Sequence, residues 1–151
     1  MIRRKKEIVI VEDGDEYRAF AELFLSDRCR IRSFPSAEAA LLSLAETPAD
    51  GFILDLRFDR AAEADLTGDV EVTARRLFSG DREQAVSYLK ANQGTLVLGA
   101  LREAGYNGRA LFVHDFPAGR LRNLVRLYGD VVAVPSFDAA SIKAAFGVEG
   151  T

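Results

Sequence analysis

The stretch Glu7-Ile8-Val9-Ile10-Val11-Glu12-Asp13-Gly14-Asp15 decides the fold. Its β-branched centre, Ile8 to Val11, runs without a polar residue. That is the composition of a strand buried on both faces; a half-buried strand would alternate. The run stops at two acids and a glycine. From Glu16 to Ser26 the apolar residues Tyr17, Phe20, Leu23 and Phe24 then recur at helical spacing. A buried strand, acids at its carboxyl end and an amphipathic helix form the first unit of an alternating α/β chain.

The same unit repeats downstream. Cys29 to Phe34 reads as a strand nearer an edge, with Ile31 set between arginines. Ser36 can cap a helix running to about Glu46, which Thr47-Pro48 ends. Gly51-Phe52-Ile53-Leu54-Asp55-Leu56 is a third strand closed by an acid. Arg109 to Val113 is a fourth, ending at His114-Asp115, and Val131 to Val134 is a fifth, ending at Pro135. Pro117 suits the first turn of the helix between them, and Ser136 or Asp138 caps the last one. The expected architecture is a doubly wound, five-stranded parallel sheet in a single domain over residues 1–151.

One segment exceeds this plan. Asp55 and His114 are 59 positions apart, roughly twice what one helix and two loops need. The excess, residues 59–94, is expected to be an insertion of one or two helices beside the exit of the third strand. Asp59 to Asp69 reads as a loop or frayed helix. Val70, Ala74, Leu77 and Phe78 make a helical stripe closed by Gly80. Asp81 and Gln84 have capping-box spacing, and Thr95 is placed to cap the next helix. Such an insertion would overhang the strand ends as a lid, a partner surface or a dimer contact.

Composition removes several function classes. Lys and Arg number 20 against 23 Asp and Glu, so no global basic excess points to nucleic acid. The run Arg3-Arg4-Lys5-Lys6 reads as a solvated start to the first strand. The single cysteine, Cys29, precludes an intrachain disulfide and a zinc cluster. No apolar run is long enough for a membrane helix and no secretory signal opens the chain, so a cytoplasmic protein without membrane contact is expected.

In parallel sheets the working site lies at the carboxyl ends of the strands. There the chain places Glu12 and Asp13, then Asp55, then His114 and Asp115. If the first and third strands are neighbours, Glu12, Asp13 and Asp55 converge. Carboxylates that close need a cation, a basic side chain or protonation. An all-oxygen cluster suits Mg²⁺. Asp15 and Asp115 read instead as helix caps or solvated acids.

These motifs resemble the CheY-like receiver domain of two-component response regulators. Ile8 to Asp15 is similar to its acidic-pair strand, Phe52 to Leu56 to the strand that ends in the phospho-accepting aspartate, Arg102 to Arg109 to its helix-to-fourth-strand turn, and Val132 to Phe137 to its fifth strand and following turn. The resemblance implies that Glu12, Asp13 and Asp55, with the backbone carbonyl of Arg57, hold Mg²⁺. It implies that Asp55 takes a phosphoryl group from a histidine kinase or phosphotransfer protein. On that reading the chain is no enzyme beyond self-phosphorylation and dephosphorylation of Asp55. Signalling would pass to an output protein by binding, no effector domain being attached, with the last two helices a candidate homodimer surface. Val134-Pro135 falls where that family often has a cis peptide.

The chain also departs from the family. His114 stands where a Ser or Thr is usual, Val134 where a Lys is usual, and Val131 where the switch aromatic is usual. A phosphoryl group on Asp55 would lack its main counter-charge unless Arg57 supplied it. His114 is the other candidate for the phosphate pocket, as a hydrogen-bond donor. Two readings therefore compete: an atypical phosphorylatable receiver, and a pseudo-receiver that binds partners without phosphate control. An aspartate-based phosphohydrolase of the haloacid-dehalogenase type lacks its second aspartate, because Asp55-Leu56-Arg57 stands in place of Asp-x-Asp. Nucleotide or flavin binding lacks a glycine-rich loop, because Gly14 stands alone.

Overall fold

The computed structural model describes residues 4–149. Five strands, β1 (Lys6–Val11), β2 (Cys29–Phe34), β3 (Gly51–Leu54), β4 (Arg109–Val113) and β5 (Val131–Val134), form one sheet in the order β2-β1-β3-β4-β5. All four pairings are parallel. The helices are α1 (Glu16–Phe24), α2 (Ala37–Glu46), α3 (Val70–Leu77), α4 (Arg82–Ala91), α5 (Gln93–Glu103), α6 (Ala118–Tyr128) and α7 (Ala139–Ala145), with a 3₁₀ turn at Glu63–Asp65.

Alternation along each strand feeds two cores. Val9, Val11, Phe52, Leu54, Ala110 and Phe112 pack on the face covered by α2, α5 and α6, through Leu44, Leu98, Leu101 and Leu124. Ile8, Ile10, Ile53 and Leu111 pack on the opposite face with Ala21 and Leu25 of the α1 region and Ile142 and Phe146 of the α7 region. Burial on both faces is why the central strands run apolar from Ile8 to Val11, Phe52 to Leu54 and Ala110 to Val113. Each fully buried Ile, Leu or Phe contributes about 1.5–3 kcal/mol.

The caps are partly as expected. The Ser36 hydroxyl accepts from the Ala39 amide, and Asp138 caps α7 through Ser141. Asp81 accepts from the Gln84 amide at 3.1 Å, and the Gln84 side chain donates to the Asp81 carboxylate at 2.9 Å. Thr95 is no cap: α5 begins at Gln93, and the Thr95 hydroxyl donates back to the Asn92 carbonyl inside the first turn. Asp15 takes the solvated alternative, with its side chain 72% exposed. It precedes α1 but makes no side-chain capping bond, pairing with Arg18 at 3.4 Å instead. The Val134-Pro135 bond is trans, there being no cis peptide among the described residues.

The segment between β3 and α5 contains the 3₁₀ turn, α3 and α4, so it adds two α-helices. It is anchored to the core at two points, and a third interaction braces it internally. Phe58 is fully buried in the core and its amide donates to the Lys90 carbonyl at 2.8 Å. Buried Gln93 grips Thr67, accepting from its amide and donating to its carbonyl, both at 2.8 Å. Arg82 joins Glu63 to Glu71 across the segment. The stretch read as a loop or frayed helix thus holds one 3₁₀ turn and is tied to the core.

Arg102 ties together two turns at the amino ends of the strands, donating to the carbonyls of Tyr106, Gly108, Tyr128 and Asp130. Of the basic opening run, Arg3 lies outside the described residues, Arg4 pairs with Asp50, and Lys5 donates to the Ser26 carbonyl. No helix among the described residues is long and apolar enough to cross a membrane.

Candidate functional site

The acidic pocket forms because β1 and β3 are neighbours in register. Val11 lies opposite Leu54, and the Asp55 amide donates to the Val11 carbonyl at 3.0 Å. Glu12, Asp13 and Asp55 therefore leave adjacent strand ends, as expected from the sequence. Their individual environments are less uniform than that expectation.

Glu12 is 2% exposed. Its two carboxylate oxygens accept from the amides of Tyr17, at 3.0 Å, and Arg18, at 2.9 Å. It satisfies the amino end of α1 from outside the helix. Burial raises its pKa above the ordinary carboxylate value, against the pull of those two amides.

Asp13 meets Arg60, which lies 47 residues further along the chain. Its Oδ2 accepts from the Arg60 backbone amide at 2.8 Å, and its Oδ1 takes Nη2 of the same guanidinium at 3.3 Å. The guanidinium also forks onto Glu16, with contacts of 2.7 and 2.9 Å. That pairing holds Glu16 down to about 2.

Asp55 has no comparable partner. Among the described residues no basic side chain forms an ion pair with it. Burial, then the charges of Asp13 and Glu12, push its pKa up to about 6, while the amides of Arg57 and Leu56 pull the other way. The Tyr17 hydroxyl faces it, and burial with the Asp55 charge raises the phenol well above its ordinary value. The Tyr17 ring stacks on Phe137 with centroids 4.5 Å apart. Phe137, from the turn after β5, is in turn edged by Phe20.

The two phosphate-pocket candidates, Arg57 for the missing lysine and His114 for the missing hydroxyl, make other contacts. Arg57 forks onto Asp59, both contacts at 3.1 Å, with its side chain 58% exposed. The His114 ring packs edge-on against Phe116, with centroids 4.6 Å apart, while its backbone amide donates to the Val134 carbonyl. Phe116 carries the Arg120 guanidinium on its other contacts, 5.1 Å from the ring centre. His114 is therefore part of an aromatic stack at the end of β4.

No family model matches the sequence, and no curated protein does so. Solved structures do. The signal receiver domain of a putative LuxO repressor protein from Vibrio parahaemolyticus superposes with a TM-score of 0.61 at 12% identity, covering 96% of this chain and 89% of that one. The CheY-like response-regulator receiver domain from Methylobacillus flagellatus gives 0.59 at 14%, covering 97% and 100%. The chain has the response-regulator receiver fold. The response regulator TrrA from Thermotoga maritima, solved in complex with Mg²⁺-BeF, gives 0.55 at 17%, covering 92% and 94%.

The receiver fold implies a divalent cation at the acids, and the donors of this chain do not fit one. Both oxygens of Glu12 are taken by α1, and both oxygens of Asp13 by Arg60. Asp55 meets the amides of Leu56 and Arg57 and the Tyr17 hydroxyl, and no basic side chain among the described residues. Among the described residues no group of three ligating side chains is arranged to hold a metal ion. The expected Mg²⁺ set of Glu12, Asp13, Asp55 and the Arg57 carbonyl is thus not assembled in this arrangement.

Sequence reasoning missed Arg60, Tyr17 and Phe137 as pocket residues. Arg60 sits in a non-periodic loop with no local signal. Tyr17 and Phe137 read as ordinary apolar positions, and only the meeting of α1 with the turn after β5 brings them over Asp55.

Proposed function

We propose that this chain is a cytoplasmic signalling domain of receiver fold that acts by binding partner proteins, without phosphoryl control of its acidic pocket. The observation that carries this reading is the isolation of Asp55. A phosphoryl group there would add charge beside Asp13 and Glu12 with no basic side chain to meet it, because Val134 replaces the usual lysine and Arg57 is committed to Asp59. The His114 ring makes its contact edge-on with Phe116. Protein surfaces remain as the means of output. Leu127, 66% exposed, and Val125 stand on α6, and Leu77 and Tyr88 stand on the inserted helices, as candidate contacts for an output protein or a second copy.

Phosphoryl acceptance on Asp55 from a histidine kinase or phosphotransfer protein is the second reading. It is favoured by the position of Asp55 at the end of β3 beside two further acids. The test is intact mass after incubation with Mg²⁺ and acetyl phosphate, with Asp55→Ala in parallel. We expect no phosphoryl-sized gain in the folded protein. A gain that disappears in Asp55→Ala would overturn the phosphate-independent reading in favour of the second.

A further inference from the structure

We propose that Arg60 is the resident cation of the acidic pocket: it bridges Asp13 and Glu16, straps the β3–α3 loop to the start of α1, and admits a divalent cation only when it leaves. The inference does not rest on the phosphate-independent reading, since a pocket without phosphoryl chemistry can still bind a metal.

Arg60 is delivered to the pocket by its neighbours. Phe58 is buried and tied to the Lys90 carbonyl, and the Ala61 amide donates to the Phe58 carbonyl at 3.3 Å. The residues flanking Arg60 are thus held, and the backbone amide of Arg60 itself bonds Asp13. The guanidinium then uses its planar fork on Glu16 and its remaining reach on Asp13. A simple exposed ion pair contributes little, but this one adds a backbone bond to an Asp13 side chain that is only 4% exposed.

Gly14 supplies a separate observation. A Cβ at this position would lie 2.3 Å from Nη2 of Arg60 and 2.8 Å from its Cζ. The backbone of Gly14 is not in the left-handed region, so turn geometry does not require glycine here. A Cβ would instead displace the guanidinium lying across this position and the Glu16 carboxylate oxygen 2.5 Å away. A bound divalent ion would need the Asp13 oxygens that Arg60 holds, so the two cations exclude one another. The apparent affinity of the pocket for a divalent ion is then reduced by the fraction of time Arg60 is away.

Terbium luminescence tests this on the full chain. The protein has no tryptophan, and Tyr17 beside Asp55 is placed to sensitise a Tb³⁺ ion held in the pocket. Mg²⁺ competition separates pocket binding from loose surface binding. We expect no Mg²⁺-displaceable Tb³⁺ signal from the wild type at concentrations that saturate Arg60→Ala. The gain in Arg60→Ala should be at least about tenfold in affinity, and adding Asp13→Asn should abolish it. Gly14→Ala should reproduce the gain, because its new Cβ meets only the mobile ends of Arg60 and Glu16 and leaves the backbone unstrained. Equal binding by wild type and Arg60→Ala would overturn the proposal, as would folded variants with no gain. If Arg60→Ala does not fold by circular dichroism, Gly14→Ala alone decides between the same two results.

Discussion

Arg60 reaches Asp13 with both its backbone amide, at 2.8 Å, and its guanidinium, at 3.3 Å. This double contact ties the loop after β3 to the loop after β1 and gives one pocket acid a basic partner. Asp55, one strand away, has no basic partner among the described residues. The pocket is therefore electrostatically uneven, and its behaviour with pH follows from that.

Asp55 should make stability fall as pH rises. Its folded pKa, about 6, lies above the ordinary value of 3.8. Below the lower value both states are protonated and the group contributes nothing. Between the two the folded state keeps a proton that the unfolded chain has released, so each step up in pH costs stability. Asp55→Asn removes that cost. The variant should exceed the wild type by on the order of 1–2 kcal/mol above pH ~7 and match it below pH ~4. Urea unfolding across that range checks this; parallel curves at every pH would refute it.

Glu12 should behave as a helix cap. Glu12→Ala leaves the amides of Tyr17 and Arg18 without their acceptor, at a cost of about 1–2 kcal/mol. Hydrogen exchange at those two amides should accelerate more than elsewhere in α1. Unchanged exchange would mean that Glu12 is free for another role.

Gln93 should hold the inserted segment to the core. Its amide accepts from the Thr67 amide and donates to the carbonyls of Thr67 and Leu89. Gln93→Leu keeps the side-chain volume but leaves these groups unpaired, and should cost about 2–4 kcal/mol. Limited proteolysis should then cut first between Asp59 and Asp69. Cleavage elsewhere, or wild-type resistance, would count against this anchor.

Gly94 should tolerate no side chain. A Cβ there would meet the Asp55 carbonyl oxygen at 2.5 Å and the Leu56 Cα at 2.8 Å, both backbone atoms of the site strand's exit. The Gly94 amide also donates to the Leu56 carbonyl at 2.9 Å. Gly94→Ala must push α5 away from the end of β3, and should cost about 1–3 kcal/mol in thermal or urea unfolding. Gly105→Ala isolates conformation from space, because a Cβ there meets nothing within 4 Å while φ is +94°.

The sequence by itself determined the strands, their alternation with helices and the acids at their ends. Burial on both faces forces uninterrupted runs such as Ile8 to Val11, and a helix start selects residues such as Ser36, Asp81 and Asp138. These are local consequences of backbone geometry and are legible residue by residue. The departures at His114 and Val134 were legible for the same reason, because strand ends can be counted. What balances the acids was decided only by the tertiary structure. Asp13 and Arg60 lie on loops 47 residues apart, neither loop has a period, and a loop arginine carries no mark of its partner. Arg57 and Arg60 look alike in sequence; the buried anchor of Phe58 between them sends one to Asp59 and the other to the pocket. The division of work between Glu12 and Asp15 depended likewise on where α1 begins in space, because a carboxylate caps whichever amides its strand end happens to face.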